Sequence, residues 1–480
     1  MKNNFEQYHL DHTIIEALNR LDYTNPTPIQ EKTIPLLLSS QDVIVKSKTG
    51  SGKTAAFLIP LIEKIVWEEN QIQVLVLTPT RELAMQVQEE AFSIGRFKRI
   101  KTSALYGKQS FSRQAKEIKQ KTHIAVATPG RLLDHIERET IDLSNITYLV
   151  IDEADQMLEM GFIDQVETII QALPDFKTTI LLSATMSKEI VALSSKYIMN
   201  PTLIEIEEKV QKLQIEQKFY DVKNKDDALV DLAIVHNPEN CIIFANTKEQ
   251  VDNLENMLKG RGFPVAKLHG GMEQEDRTLI MKKFKHQKFR YLVATDVAAR
   301  GIDVTGIEIV INYDLPRNSA TYVHRIGRTG RSDHSGLALT LVDYKKSPVL
   351  DEISEIMNQE ILYSSMPSIV EVEKCEAAFD KKCQQKMTMI ESKTMKVSKD
   401  VMKLHINAGK KQKMRAVDIV GTLCNIDGME QADIGIIQIL DLSTFVEILN
   451  NKGDLVLKAL KTKPLKGRLR KVSKANPEIL

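Results

Sequence analysis

Short runs of aliphatic and β-branched residues alternate with longer amphipathic stretches from about residue 40 to residue 345, and they do so in two series. The first series reads DVIVK, QVLVLTP, HIAVATP, YLVIDEAD and TTILLSAT. The second reads CIIFANT, PVAKLHG, RYLVATD, IEIVINYD and LALTLVD. Runs that are apolar at every position belong to strands buried on both faces, which requires a parallel sheet covered by helices on each side. Two series predict two α/β domains meeting near residues 206 to 216, inside NPTLIEIEEKVQKLQIEQ. Gly, Thr, Asp, Ser and Arg cluster just after the runs, at the carboxyl ends of the strands, where open parallel sheets bind ligands.

Composition limits the remaining choices. A chain of 480 residues has room for about three domains. Its apolar (42%) and charged (27%) fractions are those of a soluble globular protein. No apolar run is long enough to span a bilayer. The start, MKNNFEQYHLDH, lacks the apolar stretch of a secretory signal. The four cysteines, Cys241, Cys375, Cys383 and Cys424, have no zinc-type spacing and read as free thiols of a cytoplasmic protein, expected to be a monomer. Net charge is +1 but uneven: residues 401–480 hold 14 Lys and Arg against 8 Asp and Glu, so the rest of the chain is mildly acidic. A basic tail on an acidic body points to a polyanionic partner, or to a lysine-rich solvated surface.

SKTGSGKT, residues 47–54, follows the run DVIVK and precedes the helical pattern KTAAFLIPLIEKIV. Strand, glycine-rich loop and helix are the context of a phosphate loop. Ser47, Lys48, Thr49, Gly50, Ser51 and Gly52 would turn backbone N–H groups toward phosphate oxygens at a helix N-terminus. Lys53 would reach the β- and γ-phosphates, and the Thr54 hydroxyl would ligate Mg²⁺. Ser47 stands where the general pattern has its first glycine. In VIDEAD, a strand delivers Asp152 and Glu153 at its carboxyl end. Asp152 can hold Mg²⁺ through water, and Glu153 can orient or deprotonate the attacking water. Together the two motifs predict nucleoside-triphosphate hydrolysis. HRIGRTGR, residues 324–331, adds His324 and three arginines around two glycines. Arg328 and Arg331 are spaced to stabilise a transferring phosphoryl group from the second domain.

From about residue 5 to residue 350 the chain resembles the DEAD-box ATP-dependent RNA helicases, motif after motif and in order. The resemblance implies tandem RecA-like domains, ATP with Mg²⁺ as the nucleotide pair, and RNA as the substrate. It implies an adenine-reading segment in DYTNPTPIQ, with Tyr23, Thr27 and Gln30, and Phe5 as the upstream aromatic. It implies RNA contacts at PTRELA (Pro79, Thr80, Arg81), at Gly107, and at TPGR (Thr128, Pro129, Gly130, Arg131). SAT, with Ser183 and Thr185, together with Asp155, would couple hydrolysis to strand separation. In the second domain QEDR (Gln274, Arg277) and ATDVAARGID (Thr295, Arg300, Asp303) would meet RNA and ATP, with Arg300 coupling the domains and Asp303 facing the ribose. Four positions depart from the family: Ser47-Lys48 replace the usual Ala-Gln, Asp22 a glycine, and Lys108 a second glycine.

Residues 366–400 are charged, show no strand pattern and read as a linker that could be partly helical. Beyond it, VMKLHINAG, RAVDIVGTLCNI, DIGIIQILD, TFVEILN, KGDLVLKALK and GRLRKVSKA read as β-α-β-β-α-β, the ferredoxin-like order used by RNA-recognition domains and by many unrelated proteins. The expected division is therefore 1–206, 207–365, a linker at 366–400, and an RRM-like domain at 401–480. KLHINAGKKQKMRAVDIVGTL resembles the RNA-binding domain of the DbpA/YxiN branch of bacterial DEAD-box proteins. That resemblance implies a 23S ribosomal RNA hairpin as target and pre-50S particles as context. His405 and Ala408 depart from the branch. The residues themselves offer little stacking surface, only His405 and Phe445 on the strands, so Lys410, Lys411, Lys413 and Arg415 are the candidate phosphate contacts. Two other readings stay open from sequence: an RNA-binding scaffold with silent ATPase domains, which the intact motifs argue against, and a DNA translocase on the same architecture.

Overall fold

The alternation of buried strands with helices is what the structure builds. The computed structural model describes residues 4–47, 51–205, 215–296, 307–330, 336–343, 347–357, 360–385 and 400–475. They divide into two compact units, one drawn from residues up to 205 together with those after 392, the other from 206–391. No helix among the described residues is long and apolar enough to cross a membrane.

In the first unit, seven strands are β1 (Val43–Lys46), β2 (Val74–Leu77), β3 (Thr102–Leu105), β4 (Ile124–Ala127), β5 (Tyr148–Ile151), β6 (Thr178–Ser183) and β7 (Thr202–Glu205). They pair in parallel in the order β3-β4-β2-β5-β6-β1-β7. The five strands expected from sequence are the inner ones, buried throughout except at a few end positions. The two edges, β3 and β7, are additional, and both are short with exposed or half-buried positions. Sheet order matters for the site. β5, β6 and β1 are adjacent, so the chain segments leaving them gather at one half of the carboxyl edge. β3, β4 and β2 gather theirs at the other.

The second unit has six parallel strands: β8 (Ile215–Asp221), β9 (Cys241–Phe244), β10 (Val265–Leu268), β11 (Tyr291–Ala294), β12 (Ile309–Asn312) and β13 (Gly336–Val342). Their order is β10-β11-β9-β12-β13-β8. β8, reading IEQKFYD, was not expected, because Glu, Gln and Lys break the apolar run. The segment expected as a linker opens with a helix, Ile369–Gln384, capped by Ser368, whose hydroxyl and backbone both meet Glu371. Phe379 on that helix is buried, with its ring 4.7 Å from Phe263 and 6.5 Å from Tyr291. One buried aromatic docks an otherwise charged helix, which composition alone hides.

The C-terminal domain follows the expected β-α-β-β-α-β order. Its strands are β14 (Met402–Ile406), β15 (Ile434–Ile439), β16 (Thr444–Ile448) and β17 (Val472–Lys474), antiparallel in the order β15-β16-β14-β17. Helices Ala416–Cys424 and Gly453–Ala459 cover one face. Leu404, Ile406, Val446 and Ile448 point to that face and pack with Ile419, Leu423 and Val456. Period-2 alternation leaves Lys403, His405, Phe445 and Glu447 on the other face.

Candidate functional site

The phosphate loop leaves β1 and enters the helix Lys53–Lys64. Lys48, Thr49 and Gly50 lie outside the described residues, as do Arg300, Asp303 and Arg331. The flanks of the loop are fixed by neighbours. Ser47 N–H donates to the Ser183 carbonyl at 3.0 Å, and the Ser47 hydroxyl donates to Ser51 Oγ at 2.8 Å. Gly52 has φ +88°, a left-handed backbone that side chains rarely tolerate, and a Cβ there would lie 2.8 Å from Gln30 Nε2. Gln30 is buried and bridges two segments: its Nε2 donates to the Gly52 carbonyl at 3.2 Å, and its Oε1 accepts from Thr27 N–H at 2.9 Å. The Thr27 hydroxyl donates to the Ser51 carbonyl at 3.1 Å. The segment holding Thr27 and Gln30 is thus bonded to the Ser51-Gly52 end of the glycine-rich loop. Pro28 at the first position of its helix suits the fixed φ and needs no donor.

Lys53 is buried, and its Nζ donates to the Ser47 carbonyl at 2.8 Å. Thr54 is half-buried at the same helix start. Asp152 leaves β5 fully inside the protein, with Oδ1 buried and lacking any hydrogen-bond partner among the described residues. Burial pushes its carboxyl pKa up, and the Lys53 ammonium opposes that. A buried carboxylate oxygen left without a partner calls for a water, an ion or a ligand to meet it. Glu153 follows at φ +54°, in the left-handed region, as the first cap of the helix Ala154–Glu159. Asp155 closes the set: its Oδ2 accepts from Ala184 N–H and Thr185 N–H, both at 3.0 Å, and from the Thr185 hydroxyl at 3.3 Å. The Ser183 hydroxyl donates to the Thr185 carbonyl at 2.6 Å. Phosphate loop, VIDEAD and SAT therefore form one bonded cluster at the ends of β1, β5 and β6.

Phe5 and Tyr23 stand apart from that cluster's polar groups. Phe5 has no exposed surface and packs with its ring 6.3 Å from Tyr8. Tyr23 is half-buried, with its hydroxyl donating to Glu90 Oε1 at 3.1 Å.

The other half of the edge brings together the expected RNA contacts. Thr80 caps the helix Arg81–Ile94 by accepting from Leu83 N–H at 3.3 Å, following Pro79. The Arg81 guanidinium lies over Gly107: a Cβ at Gly107 would sit 3.3 Å from Arg81 Nη2. Thr128 N–H donates to the Leu105 carbonyl at 2.9 Å, and Pro129 starts the helix that carries Gly130. Arg131 Nη1 donates to the Gln109 carbonyl at 3.2 Å and to Gln114 Oε1 at 2.8 Å. Lys108, between Gly107 and Gln109, is exposed at φ +61°.

In the second unit the sequence reading missed a central residue. Arg325 is 1% exposed, and its Nε and Nη2 donate to the two carboxylate oxygens of Asp296 at 2.5 and 2.8 Å. It also donates to the Asp314 carbonyl at 2.6 Å and to Asn246 Oδ1 at 2.9 Å. One guanidinium thus ties the ends of β9, β11 and β12 together. Nothing in the spacing of Arg325 and Asp296 announces that pair; only the topology does. Arg328 is buried and His324 half-buried in the same turn. Gln274 and Arg277 are buried at the start of the helix Gln274–Lys285, and Thr295 is buried after β11.

In the C-terminal domain, Lys410–Gln412 form a single 3-10 turn pinned to the β15–β16 connection: Lys410 N–H and Lys411 N–H donate to the Leu440 and Asp441 carbonyls at 2.8 and 2.9 Å. Gly409 allows that approach, since a Cβ there would sit 2.2 Å from the Leu440 carbonyl oxygen. Lys410, Lys411, Lys413 and Arg415 are all exposed on this rim. His405 and Phe445 lie 5.1 Å apart, and His405 Nε2 is 3.0 Å from Ser443 Oγ. Among the described residues no three His, Cys, Asp or Glu side chains converge as a metal cluster.

Family models match three parts of the chain: the DEAD/DEAH box helicase over residues 27–193, the helicase conserved C-terminal domain over 224–333, and the DbpA RNA binding domain over 403–474. The chain belongs to the DEAD-box ATP-dependent RNA helicases, enzymes whose ATPase is stimulated by RNA. Within that family it is DbpA-like: it is 50% identical over 477 residues to the ATP-dependent RNA helicase DbpA of Bacillus subtilis (strain 168), covering 99% of this chain and 100% of that one. It is also 45% identical over 354 residues to the helicase CshA of Listeria monocytogenes, covering 73% of this chain and 68% of that one. Among solved structures, S. cerevisiae Dbp5 bound to RNA and ADP BeF3 is similar with a TM-score of 0.70 and 31% identity, over 80% of this chain and 100% of that one. Mss116p bound to ssRNA and AMP-PNP is similar with a TM-score of 0.67 and 30% identity, over 79% and 81%.

Proposed function

We propose that this ATP-dependent RNA helicase locally opens structured 23S ribosomal RNA during assembly of the large ribosomal subunit, on pre-50S particles and as a cytoplasmic monomer. The tail domain guides it to a hairpin of that RNA. The observation that carries the catalytic part is the orphaned Asp152 Oδ1, buried beside Lys53 and one residue from Glu153. Thr54 and Asp152 fit Mg²⁺, the latter through water, and the ion would offset phosphate charge. Lys53 holds the β- and γ-phosphates once it leaves the Ser47 carbonyl. Gln30 and Thr27 read the adenine, and Asp303 the ribose. Glu153 takes the proton of the attacking water. Arg328 and Arg331, with His324 nearby, steady the γ-phosphoryl group as its charge redistributes. Asp155, Ser183, Thr185 and Arg300 pass the state of the nucleotide to the RNA-holding segments.

Those segments are Pro79–Arg81, Gly107 and Thr128–Arg131 in the first domain and Gln274, Arg277 and Thr295 in the second. The rim Lys410, Lys411, Lys413 and Arg415 supplies phosphate contacts to a folded RNA, which the exposure of all four side chains supports. Hydrolysis measured with the 23S hairpin fragment, a scrambled RNA and DNA of matched sequence tests the proposal. Strong stimulation by the hairpin alone is expected, and equal stimulation by all three contradicts the assigned target.

A further inference from the structure

The stretch Arg96-Phe97-Lys98-Arg99-Ile100-Lys101 of the first domain meets the sheet of the C-terminal domain within one compact unit. Arg99 Nη2 donates to the Gln431 carbonyl at 2.6 Å, and Lys101 Nζ donates to the Ile437 carbonyl at 2.8 Å. Both carbonyls belong to β15 or to the turn that enters it, and β15 is an edge of its sheet, irregular between Ile434 and Ile437. An edge strand presents unpaired carbonyls that need cover. Next to it, Arg96 Nη2 lies 3.6 Å from Glu447 Oε1, with side chains only 6% and 7% exposed. Glu447 projects from β16 onto the face of the sheet away from the helices. Its other oxygen is buried with no hydrogen-bond partner among the described residues. A carboxylate in that setting is sustained by the cation beside it. Burial lowers the pKa of Lys101 to about 8 and pushes that of Lys403 below its ordinary value, as expected of cations sealed into a contact. At its margin Arg20 Nη1 is 3.5 Å from Asp400.

RNA-recognition folds ordinarily use the sheet face that carries Phe445 and His405 here. In this chain Glu447 places a carboxylate on that face and Arg96 closes over it. We infer that the Glu447 end of the sheet face and the β15 edge form a dock for the helicase core, and that the C-terminal domain meets RNA through its exposed Lys410–Arg415 rim instead. The rim takes no part in the contact among the described residues. This rests on the reading above that the tail domain binds RNA, but the dock is testable without RNA.

The experiment uses the full chain. Lysine acylation is followed by mass spectrometry at Lys101, with Lys410 as an exposed reference. Arg96→Glu and Glu447→Arg should each speed labelling of Lys101 by about tenfold, the factor equivalent to about 1.4 kcal/mol of lost contact. The charge-swapped double variant should return it toward the parent rate, the signature of a direct pair. Arg99→Ala leaves no buried charge behind and should also speed labelling, which keeps the test open if a charge reversal fails to fold. Labelling of Lys101 as fast as Lys410 in the parent chain, or no recovery in the swap, overturns the dock. In parallel, Phe445→Ala and His405→Ala should leave affinity for the 23S hairpin within about twofold, well below the 1–3 kcal/mol of a base-stacking contact. A tenfold loss in either overturns the claim that the sheet face is not read. A parent chain that fails to bind the hairpin would sink the RNA target, and the labelling series would still decide the dock.

Discussion

Asp155 Oδ2 receives the backbone N–H groups of both Ala184 and Thr185 at 3.0 Å, so the acidic motif after β5 and the SAT motif after β6 move as one piece. The bond joins the helix that begins beside Glu153 to the turn that follows β6. The carboxylate thus links the turn that carries Asp152 and Glu153 to the SAT turn.

Asp155→Asn should therefore be harmful out of proportion to its size. An amide has one acceptor oxygen, so its NH₂ must face either the Ala184 and Thr185 N–H groups or the Gln156 N–H that Oδ1 accepts at 3.1 Å. The expected cost is about 1–3 kcal/mol of stability. Strand separation should fall further than RNA-stimulated hydrolysis, because the nucleotide groups themselves are untouched. Unwinding and ATP turnover measured on the same preparation check this, and equal losses would contradict a coupling role.

Glu153 holds a left-handed backbone at φ +54°. Glu153→Gly should raise the stability of the first domain by about 1 kcal/mol while stopping hydrolysis. Glu153→Gln should bind ATP and RNA and stall before turnover, since size and polarity stay and the base is lost. Thermal unfolding and single-turnover hydrolysis separate the two effects. Turnover at the parent rate in the glutamine variant would remove Glu153 from the chemistry.

Arg325 is a structural clamp, in contrast to the nucleotide role assigned to Arg328. Arg325→Lys cannot reproduce the fork that meets Asp296, the Asp314 carbonyl and Asn246 at once. The second unit should lose about 1–3 kcal/mol, because the charge stays and hydrogen bonds of the fork are lost. Limited proteolysis at rising temperature should show that unit opening first, and an unchanged profile would contradict the clamp.

Much of this organisation was legible in the sequence because it depends on local pattern. Inner strands are uniformly apolar, and the phosphate loop and VIDEAD are contiguous motifs. The strands that escaped, β3, β7 and β8, are edge strands with polar residues on their open side, so no apolar run marks them. The stretch around Phe379 read only as a linker that could be partly helical, and its docking escaped because charged residues outnumber the one buried aromatic. Arg325–Asp296 and Arg96–Glu447 join residues far apart in the chain, and only folding makes them neighbours.

Acid should weaken the first domain through two histidines. His123 and His135 are fully buried, and burial lowers both pKa values to about 4. His123 is held neutral by geometry: Nδ1 accepts from Lys101 N–H at 2.9 Å, so Nε2 carries the hydrogen toward the Trp67 carbonyl at 3.1 Å. Unfolded histidines take up a proton near pH 6.5, and folded ones near 4. The unfolded state therefore binds more protons between those values. Stability is at its full level above pH 6.5 and is lost as pH falls toward 4, by at most about 3 kcal/mol per histidine. Urea midpoints between pH 7 and pH 4.5 should show the slope, and His123→Gln should flatten part of it. A midpoint independent of pH would contradict the buried neutral pair.

The most direct test is a titration of the full chain, of a chain ending at residue 385, which keeps the helix that docks Phe379, and of the Lys410→Ala/Lys411→Ala/Lys413→Ala variant. Each is titrated with the 23S hairpin fragment and with a scrambled RNA, while ATP hydrolysis is followed at several salt concentrations. The account predicts a strong hairpin preference in the full chain, weakening as salt releases counterions. It predicts loss of that preference in both altered chains, with a folded core that still hydrolyses ATP. Equal affinity of the full chain for both RNAs, or an undiminished preference in the shortened chain, would contradict it.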